Sequence, residues 1–139
     1  MSALFDSAIL VKLFALETNS PDAIALVRSY PLPILFTDLQ ETEVRNALWL
    51  KCRRSELNSS QLHSSLQVIE SDIAAGRLQR SPLDWPQVWS KARELSALYA
   101  LETNCRTLDT LHVACALTLG VADFGSFDLR QRALAAKAG

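Results

Sequence analysis

Short apolar runs that end on a carboxylate and pass directly into helical segments predict an α/β domain with a mainly parallel sheet. Runs of strand length lie at Ala3-Leu4-Phe5, Ile34-Leu35-Phe36 and Val121 to Phe127. Between them, apolar residues recur at three- and four-residue spacing, the period of a helix with one buried face. The alternation reads β-α-α-β-α-α-β-α-α-β-α, the order expected of such a domain. A chain of 139 residues suits one domain over 1–139.

Each element has a local reason. Ala3-Leu4-Phe5 forms a buried strand that stops at Asp6, and Ser7 to about Leu16 forms the helix behind it. Ser20-Pro21 starts a second helix, because Ser caps well and Pro suits the first helical turn. Tyr30-Pro31 ends that helix, and Pro33 introduces the strand Ile34-Leu35-Phe36. Asp38 is placed to cap the next helix, whose apolar residues are Leu39, Val44, Ala47, Leu48 and Leu50. Asn58-Ser59 caps a helix with Leu62, Leu66, Ile69 and Ile73 on one face, ending near Gly76. Leu78 to Pro82 reads as a short strand. Asp84 caps a helix with Val88, Trp89, Ala92, Leu95 and Leu98 facing inward. Thr107 to Leu119 is a strongly apolar helix closed by Gly120. Val121 to Phe127 then forms a strand ending at Asp128, and Leu129 to Lys137 a terminal helix.

Composition narrows the function classes. Apolar residues make up 49% and charged residues 21%, an ordinary globular balance rather than a disordered one. The formal net charge of −1 argues against coating nucleic acid through bulk charge, so such contact requires a local basic patch. Cys52, Cys105 and Cys115 are odd in number and lack zinc-type spacing, which predicts a reduced, cytoplasmic setting. Asp6 interrupts the N-terminal apolar run at once, so no signal peptide is expected, and no run approaches a membrane span.

The acids carry the chemical interest. Leu4-Phe5-Asp6-Ser7 and Ser126-Phe127-Asp128 end two strands alike, and ligands of parallel sheets collect at the carboxyl ends of strands. Glu43, one turn into its helix, and Asp109, opening the long apolar helix, are two further acids able to reach that edge. Four carboxylates gathered there would repel, and a divalent cation such as Mg²⁺ or Mn²⁺ would relieve the repulsion with oxygen ligands. Such a site suits phosphoryl chemistry with a metal-activated water. Simpler roles fit the same residues: Asp6 and Asp128 as helix caps, Asp109 as a dipole-favoured charge, Glu43 as a partner of Arg45 or Lys51. Spacing alone does not choose between these roles.

Four blocks taken together carry a family resemblance: Phe5-Asp6-Ser7-Ala8-Ile9-Leu10-Val11-Lys12, Glu43-Val44-Arg45-Asn46-Ala47-Leu48, Arg106-Thr107-Leu108-Asp109-Thr110-Leu111-His112-Val113-Ala114 and Ser126-Phe127-Asp128-Leu129-Arg130. In order and spacing they resemble the PIN-domain nucleases, and within them the VapC-type toxins of bacterial toxin–antitoxin pairs. The resemblance implies a single three-layer PIN-like domain, its mainly parallel central sheet flanked by helices, and a Mg²⁺- or Mn²⁺-dependent endoribonuclease. Asp6, Glu43, Asp109 and Asp128 would be the catalytic, metal-binding acids, with Ser7 and Ser126 supporting them. It further implies RNA as substrate, a homodimer, and a small cognate antitoxin over the active-site groove. The family often has Ser or Asn where this chain has Ala8, which removes a hydrogen bond from the metal's surroundings.

Other residues have a functional and a structural reading. Arg45, Lys51, Arg53 and Arg54 form the densest basic cluster, suited to RNA phosphates or to an ordinary helix C-terminus. His112, three residues after Asp109, is expected to pack in the core, since Mg²⁺ does not favour imidazole. His63 is expected in solvent, and Trp85, Trp89 and Tyr99 in core packing rather than base stacking. Two rival functions share this sequence. One is a PIN-fold module that binds RNA or antitoxin without turnover, consistent with Ala8. The other is an aspartyl phosphatase, which Ala8 disfavours because that chemistry usually places a second Asp there.

Overall fold

The computed structural model describes residues 2–139 and is mixed α/β, with the element order expected from the sequence. The chain divides into two compact units, one of residues 1–6 and 82–139 and the other of residues 7–81.

The first unit is built on two strands far apart in sequence. β1 (Ala3–Phe5) pairs in parallel with β4 (Asp123–Gly125), with Phe5 opposite Gly125. The Asp6 N–H donates to the Gly125 carbonyl at 2.8 Å, so the ladder runs one residue past β1. Three helices complete the unit: α5 (Trp85–Thr103), α6 (Thr107–Leu119) and α7 (Leu129–Ala138), with α5 and α7 both packed against α6. Leu111 to Ala116 of α6 are all buried, as its nearly continuous apolar sequence requires. Gly120 closes α6 in the left-handed region, φ 68°, where glycine carries no steric penalty.

The second unit pairs β2 (Ile34–Phe36) with β3 (Leu78–Arg80), again in parallel. Four helices accompany them: α1 (Ser7–Phe14), α2 (Ser20–Arg28), α3 (Asp38–Arg53) and α4 (Ser59–Ala74). Ile9, Leu10, Ala23, Phe36, Val44, Leu48, Leu62 and Ile69 are buried, one or more from each helix and from β2. The Leu32–Pro33 peptide preceding β2 is cis.

Several local expectations are corrected. Asp38 does not cap α3; Thr37 does, in a reciprocal box with Gln40. Ser20 does not cap α2 either: it lies inside the first turn, buried, where its hydroxyl accepts from the Glu17 N–H at 2.9 Å. On α5, Val88 and Leu95 are buried, but Trp89 and Leu98 are 46% and 56% exposed. The fourth strand is shorter than the expected 121–127, because Ser126 and Asp128 are engaged in starting α7 instead. Among the described residues, no helix is long and apolar enough to cross a membrane.

Candidate functional site

In the first unit, Asp6 stands directly after β1 and Ser126 directly after β4, at matching ends of two parallel strands. Asp6 is half-buried and backbone-anchored through Gly125. Asp128 begins α7: its Oδ1 accepts the Arg130 N–H at 2.8 Å and the Gln131 N–H at 3.1 Å. That is the capping role a carboxylate favours at a helix start, and Oδ2 takes neither bond. Asp109 lies in the first turn of α6, where its Oδ2 accepts from the Arg106 N–H at 3.4 Å. The Arg106 guanidinium stands 4.0 Å from the same oxygen.

A residue outside the expected set links these acids. Gln131 is fully buried, and its Nε2 donates to Asp6 Oδ1 at 3.4 Å and to the Asp109 main-chain carbonyl at 3.2 Å. Its Oε1 accepts from the Ser126 hydroxyl at 2.7 Å, and that hydroxyl accepts the Asp128 N–H at 3.0 Å. Ser126 thus bonds both the Gln131 amide and the Asp128 backbone. The Asp128-x-x-Gln131 spacing was the legible signal for Gln131, since an acceptor followed three residues later by Gln marks a helix start.

Cys105 reports the local field. Burial pushes its thiol pKa up, a hydrogen bond with Thr103 opposes this, and the nearby Asp109 and Asp128 carboxylates raise it further. Two of the candidate acids therefore act on one thiol between α5 and α6.

In the second unit, the Ser7 hydroxyl donates to Glu43 Oε1 at 3.2 Å, holding the Glu43 carboxylate against the first turn of α1. Glu43 is half-buried, on the helix that also carries Arg45 and Lys51. Those cations have carboxylate partners. Arg45 binds Glu41 at 2.9 Å and Glu70 at 2.6 Å, and Arg80 also clasps Glu41. The Arg80 hydrogen bond, opposed by burial and reinforced by Arg45, holds the Glu41 carboxyl below its usual range. Lys51 is buried and reaches Glu17 at 3.1 Å. Arg54 pairs with Glu56, leaving Arg53 as the exposed member of the basic cluster with no ion pair among the described residues.

The remaining residues follow structural roles. His112 is 1% exposed within α6, as expected of a packing histidine. His63 is exposed, with Nδ1 against the Ser59 carbonyl at 2.9 Å. Trp85 and Trp89 stack with ring centres 5.6 Å apart, but the exposure of Trp89 departs from full core packing. A cavity of about 670 Å³ in the first unit is lined by Val113, Leu117, Phe124 and Ala133, and the candidate acids take no part in its walls.

The carboxylate oxygens of Asp6, Asp109 and Asp128 are hard donors of the kind Mg²⁺ and Mn²⁺ prefer. Among the described residues, no three His, Cys, Asp or Glu side chains are drawn together as a metal cage. Mg²⁺ usually keeps several waters and is held by one or two carboxylates together with substrate oxygens. By fold and residues, this class of protein is an α/β chain with carboxylates at the carboxyl edge of a parallel strand pair. No protein-family model matches the chain, and no curated protein matches it significantly.

Proposed function

We propose that this chain is a metal-dependent endoribonuclease of the PIN class, acting in the cytoplasm as the toxin of a VapBC-type toxin–antitoxin pair. The proposal includes a three-layer PIN-like fold, a homodimer, RNA as substrate and a small antitoxin as partner. One observation supports it above the others: Gln131 and Ser126 link Asp6, the start of α6 at Asp109 and the α7 cap Asp128 in one buried hydrogen-bonded network. The network joins the Asp6 carboxylate to the two helix starts that carry Asp109 and Asp128, and hard oxygen donors of that kind suit a divalent cation.

Asp6, Asp109 and Asp128 would hold Mg²⁺ or Mn²⁺ through one or two carboxylates at a time. The bound ion would supply water activation and neutralisation of phosphate charge. The resemblance adds Glu43, whose carboxylate accepts a hydrogen bond from the Ser7 hydroxyl. Arg53 is the cation of the basic cluster most open to a phosphate.

The test is cleavage of total RNA, tRNA and rRNA by purified protein in Mg²⁺, Mn²⁺ or EDTA. Wild-type protein is expected to cut only with metal, and Asp6→Asn and Asp109→Asn to lose at least about 100-fold in rate. Folded wild-type protein that binds RNA but cuts none of these substrates would establish the binding module instead.

A further inference from the structure

We propose that Gln131 is a positioning residue, whose side-chain amide, oriented by Ser126, fixes the Asp6 carboxylate relative to the first turn of α6. The role in metal binding rests on the proposed nuclease function; the hydrogen-bonded hold on Asp6 does not.

Comparison with other helices of the chain distinguishes this amide. Gln is the third helical residue of α3, α4, α5 and α7, as Gln40, Gln61, the exposed Gln87 and Gln131. In α3 and α4 its side chain turns back and accepts the cap N–H, from Thr37 at 2.7 Å and Asn58 at 2.8 Å. That contact closes a capping box in both helices. In α7 the equivalent N–H, that of Asp128, goes to Ser126 Oγ instead. The Gln131 amide is thereby released from capping and turned toward Asp6 and α6.

The direction of the amide is determined by its partners. Ser126 Oγ accepts the Asp128 N–H, and its single proton is donated to Gln131 Oε1. The other end of the amide faces a carboxylate and a carbonyl, both acceptors, so it must be the NH₂. A flip would set Oε1 against two oxygens in a fully buried position, a costly arrangement. The chain from Asp128 N–H through Ser126 and Gln131 to Asp6 therefore has one sense. It holds a strand-end carboxylate to a helix start more than a hundred residues away in sequence. Partners behind metal-binding carboxylates orient them, and their loss typically weakens metal binding about 10- to 100-fold.

The experiment measures Mn²⁺ affinity by calorimetry on the full chain, with thermal unfolding alongside. Gln131→Met conserves volume and removes the amide; it is expected to weaken Mn²⁺ binding about tenfold. Gln61→Met, the same change at an exposed glutamine that closes a capping box in the second unit, should lower the melting temperature and leave Mn²⁺ affinity unchanged. A folded Gln131→Met protein with wild-type affinity would overturn the metal-binding role. If Gln131→Met does not fold, Ser126→Ala decides, since it leaves the amide but removes its orientation: weakened affinity supports the role and unchanged affinity overturns it. If wild-type protein neither binds Mn²⁺ nor cuts RNA, the nuclease reading and the metal-binding role fail together. The hold on Asp6 is then tested alone through the Gln131 side-chain NH₂ resonances. Their displacement in Asp6→Ala supports the hold, and their persistence unchanged overturns it.

Discussion

At the scale of single residues, the same carboxylate serves structure and chemistry at once. Asp128 satisfies two of the N–H groups that every helix start leaves without a partner, and it does so with one oxygen. Asp128→Ala is therefore expected to cost about 1 kcal/mol in urea unfolding, independently of any effect on activity. Cys115 shows what burial alone does to a thiol: its pKa is raised to about 11 by removal from water. The thiolate is the reactive form, so Cys115 should resist thiol reagents at pH 8 until the protein unfolds. Because an unfolded thiol ionises near 8.5, burial of Cys115 should also make stability fall as pH rises from about 8.5 to about 11. Chemical unfolding at pH 8 and pH 10 measures that slope, and Cys115→Ala should flatten it.

At the scale of elements, ion pairs tie helices that apolar packing has already brought together. Glu41 of α3 receives Arg45 from its own helix and Arg80 from β3, while Arg45 also reaches Glu70 of α4. The Glu41 carboxyl is held below its ordinary range, so its pairing stabilises the fold above about pH 4.3 and fades as pH falls through the lowered value. Glu41→Gln should lose about 1 kcal/mol near neutrality and show a shallower acid limb in a pH series of unfolding curves. This arrangement also explains why a sequence-level basic cluster shrinks in the structure. Arg45, Lys51 and Arg54 have carboxylate partners, a feature invisible in a count of cations.

At the scale of the whole molecule, each unit joins strands that are distant in the chain. β1 and β4 pair although nearly the entire sequence lies between them, and β2 and β3 are separated by two helices. Such non-local parallel pairing is slow to form and depends on side chains buried on both faces. Phe5, fully buried in β1, carries that dependence in the first unit. Phe5→Ala should cost about 3–5 kcal/mol, measured by urea unfolding.

The order of strands and helices was legible from the chain alone, because short apolar runs and period-3.6 apolar patterns report burial locally and need no partner to be read. Asp84 and Asn58 as caps, and Gly120 as a terminator, were legible for the same reason. Asp6, Glu43, Asp109 and Asp128 could be singled out as acids placed beside strand ends or helix starts. Their partners could not. Which strand pairs with which, which side of α5 leaves Trp89 in water, and the turn of Gln131 away from its own cap toward Asp6 all depend on segments far apart in sequence. Local propensity determined what each segment would become. Only tertiary packing, where a buried amide must find every one of its hydrogen bonds, decided which carboxylate it would hold.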